Sequence, residues 1–517
     1  MSTSSTSWTW FIAAIVGGVV LTDIVNRHLK KHASPRVPLP PGPPLLPILG
    51  NVRGINVDAP WLSYADWANT YGDLLYSRFF NQDIIIINSE TIAKELLEDR
   101  SANYSDRPDI ATTKAFGVDF TTAFMPYGSK WRLQRSFIHQ AFRADAVPRF
   151  KPSVQRQAYQ LLRDLLESPD HCWDHLSLYT SSVIIKAVYD YDMVPRDDEM
   201  FAIIEKMAEL TVEVVRPEVA AVLNAFPILL RLPSWLPGMS INKSAALARE
   251  LAKDMLDVPF QHALQRLVGP LQQWYTTHYK RAEGRDTPPE WMQELRDASA
   301  TVLAAASESS KSALMTFFLA MVLFPEAQAK AQTHIDSVCG RNRLPTLDDR
   351  PSLTFMDAVL RETLRWNPVA PLSVPHSTVN GDIYNGYYIP KGAVLLTNLW
   401  SIAHNEEKYP KPFEFIPERF LDAHGNLTDD NVLNIAFGHG RRICVGRHFA
   451  DSSLWSAMAN ILAVFKLSLP KDKDGRDIPF KPKWASGATT HPVPFPICIV
   501  PRVEGLDVRQ LEHLFGT

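Results

Sequence analysis

The segment FGHGRRICVG at residues 437–446 constrains the fold of this 517-residue chain more strongly than any other feature. It fits the pattern F-x-x-G-x-R-x-C-x-G, whose specified positions are Phe437, Gly440, Arg442, Cys444 and Gly446. Five specified residues at fixed spacing occur by chance in roughly one of several thousand chains of this size, so the match is a strong motif signal. A chain that carries it is expected to present one cysteine from a tight loop.

The residue types of this segment indicate a haem-binding loop. Its glycines allow tight backbone turns close to a flat ligand, and a cysteine thiolate is an axial ligand of haem iron. Backbone amides freed by such a loop can donate hydrogen bonds toward the sulfur, which stabilises the thiolate and tunes the potential of the iron. Arg442 lies near enough to Cys444 along the chain to meet a haem propionate.

The remaining cysteines do not indicate a second site. Cys172, Cys339 and Cys498 are widely spaced, so the chain has neither a dense disulfide framework nor a zinc-type C-x-x-C pair. A reducing compartment suits this usage, and we interpret the three residues as small buried hydrophobic side chains.

Composition indicates a sizeable globular interior. Hydrophobic residues make up 46% of the chain and charged residues 21%, which is typical of a folded core rather than a disordered chain. The formal charge is -3, and no Lys/Arg cluster is interleaved with aromatic residues, so nucleic acid is not an expected partner. The length favours two or three domains, or one unusually large one.

Residues 8–25, WTWFIAAIVGGVVLTDIV, are almost wholly apolar and predict a membrane anchor. A helix of this length would rise about 27 Å, just enough to span a bilayer. Basic residues follow the run at 27–31 and none precedes it, which favours a retained anchor over a cleaved signal peptide and a cytosolic position for the rest of the chain. Thr22 and Asp23 weaken the end of the run, so an interfacial helix is the alternative.

We therefore divide the chain into a membrane anchor at 1–26, a basic and proline-rich hinge at 27–50 and a catalytic domain at 51–517. Prolines in PRVPLPPGPPLLPILGN remove backbone donors and fix φ, which favours a stiff extended spacer. A peptide ligand for a proline-reading module is the alternative interpretation of this tract.

The body of the chain is predicted to be mainly helical with a smaller β region. Apolar residues recur at helical spacing over five stretches, which predict helices at 147–166, 181–191, 201–215, 245–267 and 291–324. A β-branched run at 83–88 predicts a buried strand, and Asn-Gly turns beyond Pro371 predict a small antiparallel sheet. The longest helix carries Glu308 inside an almost uniformly apolar stretch, where a charge is costly without a partner or a purpose.

With these features the sequence resembles the cytochrome P450 family, in its fungal microsomal form, over essentially the whole chain. Three further motifs follow the family's order: Trp131 and Arg135 within YGSKWRLQRS, Glu362 and Arg365 within TFMDAVLRETLRWNP, and the F-x-P-E-R-F segment that includes Arg419. The resemblance implies the cytochrome P450 fold, mainly α with a smaller β region (α+β), preceded by one N-terminal transmembrane helix.

The resemblance also implies roles for individual residues. Cys444 would be the axial ligand of heme b, and the propionates would be met by Arg442, Trp131, Arg135 and His376. Glu362, Arg365 and Arg419 would form a buried network, in which losing one partner would leave a charge unpaired at roughly 3–5 kcal/mol. Taken alone, an E-x-x-R pair usually marks a solvated helix face, and a lone histidine is often a satisfied surface residue.

The family's long central helix carries A-G-x-D/E-T, where an acid beside an alcohol relays protons. Here the five positions read Ala305, Ala306, Ser307, Glu308 and Ser309. Glu308 and Ser309 are therefore the candidate catalytic residues, and protons can pass through them and a bridging water. The methyl group of Ala306 would tighten the groove, and the Ser309 hydroxyl rotates more freely than that of threonine. A different proton route or different haem chemistry is the alternative.

By resemblance the chain is expected to be a monooxygenase that oxidises a hydrophobic small molecule with O2. Electrons would come from NADPH through a separate NADPH-cytochrome P450 reductase, because no nucleotide-binding glycine fingerprint is evident, and cytochrome b5 is a second candidate donor. The expected location is the endoplasmic reticulum membrane, single-pass, with the catalytic domain in the cytosol. A fungal secondary metabolite is the expected substrate, terpenoid before polyketide or aromatic.

The pocket would be lined by residues 107–124, the helix near Ala305, and the segments 369–374 and 484–490, which are largely apolar with scattered hydroxyls. Two other functions stay open. One is a haem-thiolate isomerase or dehydratase that works without external electrons, and the other is a non-enzymatic haem sensor.

Overall fold

The computed structural model describes residues 37–47, 49–194, 197–214, 217–236, 241–266, 290–430, 432–485 and 487–515. The predicted anchor at 1–26 and residues 27–36 of the hinge lie outside this part of the chain. None of the individual helices within it combines the length and hydropathy needed to cross a bilayer. The chain divides into a smaller unit, Met1–Pro108 with Pro375–Asn398, and a larger unit, Asp109–Val374 with Leu399–Thr517.

The smaller unit is built around strands. Its helical segments are a 3-10 turn at Val52–Gly54, α1 (Pro60–Tyr71), α2 (Glu90–Lys94), a π-helical segment at Glu95–Asp99 and α3 (Ser101–Tyr104). Its strands are β1 (Leu74–Phe79), β2 (Gln82–Ile87), β3 (His376–Ser377), β4 (Asp382–Tyr384), β5 (Tyr387–Ile389) and β6 (Val394–Thr397).

A four-stranded sheet in the order β1-β2-β6-β3 forms the core of the smaller unit. β1 and β2 pair antiparallel, with Leu74 opposite Ile87 and Phe79 opposite Gln82. The strand predicted at 83–88 is confirmed as β2, whose isoleucines from 84 to 87 are buried. Consecutive β-branched residues favour a strand of this kind, which is covered on both faces.

The β region predicted beyond Pro371 is partly confirmed. β4 and β5 form an antiparallel hairpin whose turn residues Asn385 and Gly386 have φ of 49° and 79°, the left-handed conformation that this pair favours. β6 pairs antiparallel with β3, as predicted, but the prediction of one antiparallel sheet is wrong at its other edge, where β6 pairs in parallel with β2. The alternation of apolar residues defines a strand and its buried face but does not specify its neighbour.

The larger unit is mainly helical. Its α-helices are α4 (Ala111–Ala115), α5 (Ser129–Phe142), α6 (Lys151–Glu167), α7 (Cys172–Tyr189), α8 (Glu199–Val214), α9 (Pro217–Ala225), α10 (Ile241–Arg266), α11 (Glu290–Leu323), α12 (Pro325–Cys339), α13 (Thr354–Trp366), α14 (Leu399–Ala403), α15 (Leu433–Ala436), α16 (Arg447–Val464) and α17 (Val508–Phe515). The 3-10 turns are Val147–Phe150, Pro169–His171, Pro227–Arg231, Arg350–Ser352, Pro417–Phe420 and Gly440–Arg442, and β7 (Phe465–Ser468) pairs antiparallel with β8 (Cys498–Pro501).

Helix α11 is the central element of the larger unit. The stretch 313–321 is almost fully buried, and the helix packs against α5, α7 and α16. The helix predicted at 291–324 is therefore confirmed, since a helix that is apolar on all sides is one that other helices surround. It ends just before Pro325, which starts α12 at a position where proline is well tolerated.

The other predicted helices differ from the observed ones mainly at their starts. Those predicted at 201–215 and 245–267 are confirmed as α8 and α10, whereas 147–166 begins with a 3-10 turn before α6. The start predicted at Ser181 is wrong, because α7 begins at Cys172. Ser177 and Thr180 are buried in α7, and these buried polar residues interrupt the apolar spacing on which the prediction rested.

His404, directly after α14, is a half-buried titratable group of the larger unit. Its ring stacks on Trp400 at a centroid distance of 4.2 Å, and its Nδ1 lies 2.8 Å from the carbonyl oxygen of the same residue. Burial lowers the pKa of His404 to about 4, which the hydrogen bond to Trp400 opposes in part. The fold therefore selects the neutral imidazole.

We predict that His404→Phe makes the stability of the protein less sensitive to mild acid. The pKa of this histidine is about 4 in the folded protein and about 6.5 in the unfolded chain. The residue therefore contributes its full stabilisation above pH 6.5, and this contribution is lost as the pH falls toward about 4. Urea unfolding at pH 7 and pH 5 should give a difference in unfolding free energy that is smaller by about 1–2 kcal/mol in the variant. The exposed His424→Phe is the control, and an unchanged pH dependence in His404→Phe would contradict the assignment.

Candidate active site

The loop that carries Cys444 is closed by its own backbone. It follows α15 and turns through Gly438 and Gly440, which have φ of 77° and 62°, a region that disfavours side chains. The N–H of Cys444 then donates to the carbonyl oxygen of Phe437 at 2.9 Å. Gly446 ends the loop, and α16 begins at the next residue. The glycine and cysteine positions of the motif thus correspond to the turns and closure of one loop.

The Cys444 thiol lies deep in the larger unit and yet is accessible. Burial raises the pKa of Cys444, while the amides of Gly446 and Arg447 and the positive charges of Arg135 and Arg447 act to lower it. Cys444 is nevertheless exposed. The space beside the neighbouring Gly446 is also open, since a Cβ built on that glycine would meet no atom within 4 Å. This sulfur therefore has amide and cationic partners for a thiolate, and the residue stays accessible.

Two arginines flank the aromatic ring of Trp131 near this thiol. The guanidinium of Arg442 lies 4.3 Å from the ring centroid, and that of Arg135 lies 5.7 Å from it. Arg442 also donates to the carbonyl oxygens of Thr122 at 3.3 Å and Met125 at 2.9 Å. Burial lowers the pKa of Arg135 to about 10, and the nearby Cys444 opposes that change. Cations held in this way can bind carboxylates.

The residues around Cys444 fit a haem. A thiol is available as an iron ligand, two backbone amides can stabilise its anion, and Arg135 and Arg442 can bind the two propionates. Phe437, the first residue of the motif, is partly buried and packs against the main hydrophobic core. The carbonyl groups of Thr122 and Met125, which the motifs do not reveal, hold Arg442 in position.

His376 lies in the smaller unit, on strand β3. It is 6% exposed, so the interpretation as a surface histidine is wrong. Its Nδ1 lies 2.8 Å from the carbonyl oxygen of Tyr104 in the same unit. That contact fixes the orientation of the ring, and a role toward a haem propionate stays a prediction.

Glu362, Arg365 and Arg419 are brought together in the larger unit. Arg365 donates from Nε and Nη2 to the two carboxylate oxygens of Glu362, at 2.6 and 2.8 Å, and both side chains are fully buried. Arg419 Nε donates to Glu362 at 3.2 Å, and the amide of Ile416 donates to it at 2.7 Å. Arg365 also binds the carbonyl oxygen of Ala403 at 2.9 Å. The pair therefore connects helix α13 to the segment that follows α14.

Glu308 and Ser309 lie in the middle of α11. Ala305, one turn earlier, is exposed although this helix is the core of the unit, so one face of the helix is open at this point. Ser309 Oγ donates to the carbonyl oxygen of Ala305 at 2.8 Å, which leaves its lone pairs free to accept. Ser312 Oγ donates to Glu308 at 3.4 Å, a long hydrogen bond. An acid and a hydroxyl thus meet where the helix is accessible.

His491 was not predicted from the sequence. Its Nδ1 lies 3.7 Å from Glu308 Oε1, although the two residues are far apart in the chain. No local pattern links a residue of a C-terminal loop to the centre of α11. Only the folded chain brings this imidazole to the acid.

Comparisons with known proteins agree with the motifs. The family model described as Cytochrome P450 matches residues 40–499. Cytochrome P450 monooxygenase 136 of Postia placenta is 35% identical over 489 residues, which are 93% of this chain and 92% of that protein. Cytochrome P450 monooxygenase ple1 of Rhodocybe pseudopiperita is 35% identical over 508 residues, which are 97% and 96% of the two chains. Cytochrome P450 monooxygenase COX2 of Coprinopsis cinerea is 35% identical over 500 residues, 95% and 93% respectively.

We predict that Glu362→Ala severely reduces the yield of folded protein. The change leaves the fully buried Arg365 without its carboxylate, at a cost of roughly 3–5 kcal/mol. The readout is soluble protein and bound haem per mass of cells. Glu167→Ala removes the carboxylate of an exposed i,i+4 pair with Arg163 and should leave both quantities unchanged. Equal effects of the two substitutions would contradict the prediction.

Proposed function

The chain belongs to the cytochrome P450 family and is a haem-thiolate monooxygenase, and we propose that it oxidises a hydrophobic small molecule as a membrane-anchored enzyme fed with electrons by an NADPH-dependent reductase. The observation that carries the proposal is the accessible, deep thiol of Cys444 with amides and guanidinium groups around it. The haem it would hold supplies the activation of O2, because thiolate ligation favours cleavage of the O–O bond.

In this proposal the residues of the cysteine loop and of helix α5 have separate tasks. Cys444 would hold the iron, and the amides of Gly446 and Arg447 would stabilise its anion. Arg135 and Arg442 would bind the propionates and so hold the haem in place. The ring of Trp131 contacts both guanidinium groups, at 4.3 Å from Arg442 and 5.7 Å from Arg135, and would help to hold these cations for the propionates.

Glu308 and Ser309 supply the protons that the reaction needs. Inserting one oxygen atom into a C–H bond consumes O2, two electrons and two protons and releases one water, so a proton route is required. The Glu308 carboxyl can hold a proton at an oxygen atom and release it to a water, and Ser309 Oγ can accept a hydrogen bond from that water while it donates its own hydrogen to the Ala305 carbonyl oxygen. Both positions therefore suit proton delivery despite the departures at Ala306 and Ser309.

The substrate pocket is proposed to be apolar. Contacts within the larger unit support the predicted lining: Thr490 N–H donates to Val369 at 2.8 Å, and Thr122 N–H donates to the hydroxyl of Thr301 on α11 at 3.2 Å. The first contact joins two of the predicted segments to each other, and the second joins a third segment to α11. Apolar side chains with a few hydroxyls suit a hydrophobic molecule held by shape.

A fungal secondary metabolite is the proposed substrate class, with a terpenoid ahead of a polyketide or an arene. The similarity to monooxygenases of fungi supports a fungal metabolite as the substrate. The apolar run at 8–25 supports single-pass anchoring in the endoplasmic reticulum membrane with the catalytic domain in the cytosol.

Exposed cations beside the cysteine loop support an electron-donating protein partner. Arg441 donates to the Tyr127 hydroxyl at 2.8 Å, and the guanidinium of Arg132 lies 5.6 Å from the same ring. Lys130 is 61% exposed on α5 nearby. Such a group of positive charges favours a partner with an acidic surface, as proposed for the reductase and for cytochrome b5.

We predict that Cys444→Ser abolishes the thiolate signature of the haem. The reduced, carbon monoxide-bound holoenzyme should absorb at the long-wavelength Soret position typical of thiolate coordination, and the variant should not, because a hydroxyl cannot replace the thiolate. Cys498→Ser, remote in sequence and only partly buried, should keep the long-wavelength band. A band that survives in Cys444→Ser would contradict the ligand assignment.

Turnover with a reductase tests the proposed reaction class. The full chain with reductase and NADPH should oxidise at least one member of a panel of terpenes, polyketides and arenes, and only when electrons are supplied. Glu308→Gln should lower the rate of product formation by about 100-fold, because the amide cannot deliver a proton. The exposed Glu326→Gln on α12 is the matched control. Rearrangement of an organic peroxide without NADPH would instead select the isomerase or dehydratase.

A further inference from the structure

The loop that carries His491 is fixed at both ends in the larger unit. Trp484 and Pro492 form an antiparallel bridge, and the N–H of Ala485 donates to the carbonyl oxygen of His491 at 2.8 Å. Thr490 is 1% exposed, and its N–H donates to Val369 at 2.8 Å. The backbone at His491 is therefore held on two sides, so its side chain has a defined direction.

The His491 imidazole faces the Glu308 carboxylate. Nδ1 and Oε1 are 3.7 Å apart, and the two side chains are 21% and 22% exposed. This distance is slightly too long for a direct hydrogen bond, and a small rotation of either side chain closes it. Within the described part of the chain, Nδ1 is buried and has no hydrogen-bond partner. A buried ring nitrogen of this kind needs a partner, and Glu308 is within reach.

The charges that act on His491 from the described residues are Glu308 and Lys311, both on α11. Burial lowers the pKa of His491, Glu308 acts to raise it, and Lys311 acts to lower it. The imidazole is therefore mostly neutral at neutral pH. A neutral imidazole has one nitrogen that can accept a proton and one that can donate, which suits it to pass protons onward.

We propose that His491 is a positioning residue for proton delivery, which orients the Glu308 carboxylate and returns a proton to it after each one that Glu308 gives up. The inference rests on the proposed role of Glu308. One ring nitrogen accepts a proton from solvent, and the nitrogen that faces Glu308 releases its own proton to Oε1. The N–H bond breaks as the O–H bond forms, and the ring stays neutral in its other tautomer. Exchange with water restores the first tautomer before the next transfer.

A titration shows without turnover whether His491 and Glu308 interact, and the coupling measurement that follows distinguishes proton delivery from a purely structural histidine. The probe is the ring 13C resonance of His491 in the full-length, reduced, carbon monoxide-bound holoenzyme, assigned by its loss in His491→Gln. Its titration midpoint should move to lower pH in Glu308→Gln and to higher pH in Lys311→Met, because each substitution removes one neighbouring charge. A midpoint that does not move in Glu308→Gln overturns the proposal.

Coupling of electrons to product gives the functional test. His491→Gln should lower the product formed per NADPH on the order of 10-fold and release the difference as peroxide, while the thiolate Soret band and haem content stay unchanged. The loss should be larger at high pH, where protons are scarce, and should be partly rescued at low pH. His424→Gln, in an exposed turn, is the matched control and should behave as the parent chain.

A double-substitution cycle then shows whether His491 acts through Glu308. In the Glu308→Gln background, His491→Gln should have no further effect on coupling, because the group that it serves is absent. Additive effects overturn the proposal. If His491→Gln fails to bind haem, His491→Asn replaces it in the cycle. If the parent chain shows no monooxygenase turnover at all, the proposed function fails, while the 13C titration still decides whether the His491–Glu308 pair exists.

Discussion

The arrangement depends on keeping a thiolate stable inside a protein. Burial alone favours the neutral thiol of Cys444, so the anion needs donors and positive charge close by. The loop supplies both, since its closure through the Phe437 carbonyl presents the amides of Gly446 and Arg447 to the sulfur. Arg135 adds a charge from helix α5. The cysteine loop and helix α5 thus act together to stabilise the thiolate.

The rest of the larger unit keeps the cysteine loop and the proposed proton source, Glu308, in fixed positions. Other helices surround α11, and most of its central side chains are buried and apolar. The exposed Ala305 and the carboxylate of Glu308 differ from the rest of the helix in this respect. The fully buried pair of Glu362 and Arg365 ties α13 to the end of α14 and to the segment that follows it. Removing one partner of such a pair costs much more stability than replacing both partners by apolar residues. The network therefore makes the fold specific as well as stable.

Several features followed from local pattern. The uniformly apolar stretch predicted α11 to within a residue at each end, and the run of isoleucines predicted β2. Local pattern failed where buried polar residues interrupt it, as in α7, and where the partner of a strand is distant, as for β6. Helix and strand periods report which face is buried and carry no information about what covers it.

The sequence by itself determined the chemistry: a cysteine in a glycine-rich loop at fixed spacing, an acid beside a hydroxyl in an apolar helix, and two arginines with a tryptophan. Residue identity decides what a group can ligate, donate or accept, and that is readable without coordinates. Only the tertiary structure decided which groups meet. The carbonyl groups that hold Arg442, and the imidazole of His491 beside Glu308, come from segments with no local relation to their partners. Such pairings arise because packing brings distant segments together, and no periodicity in the chain encodes them.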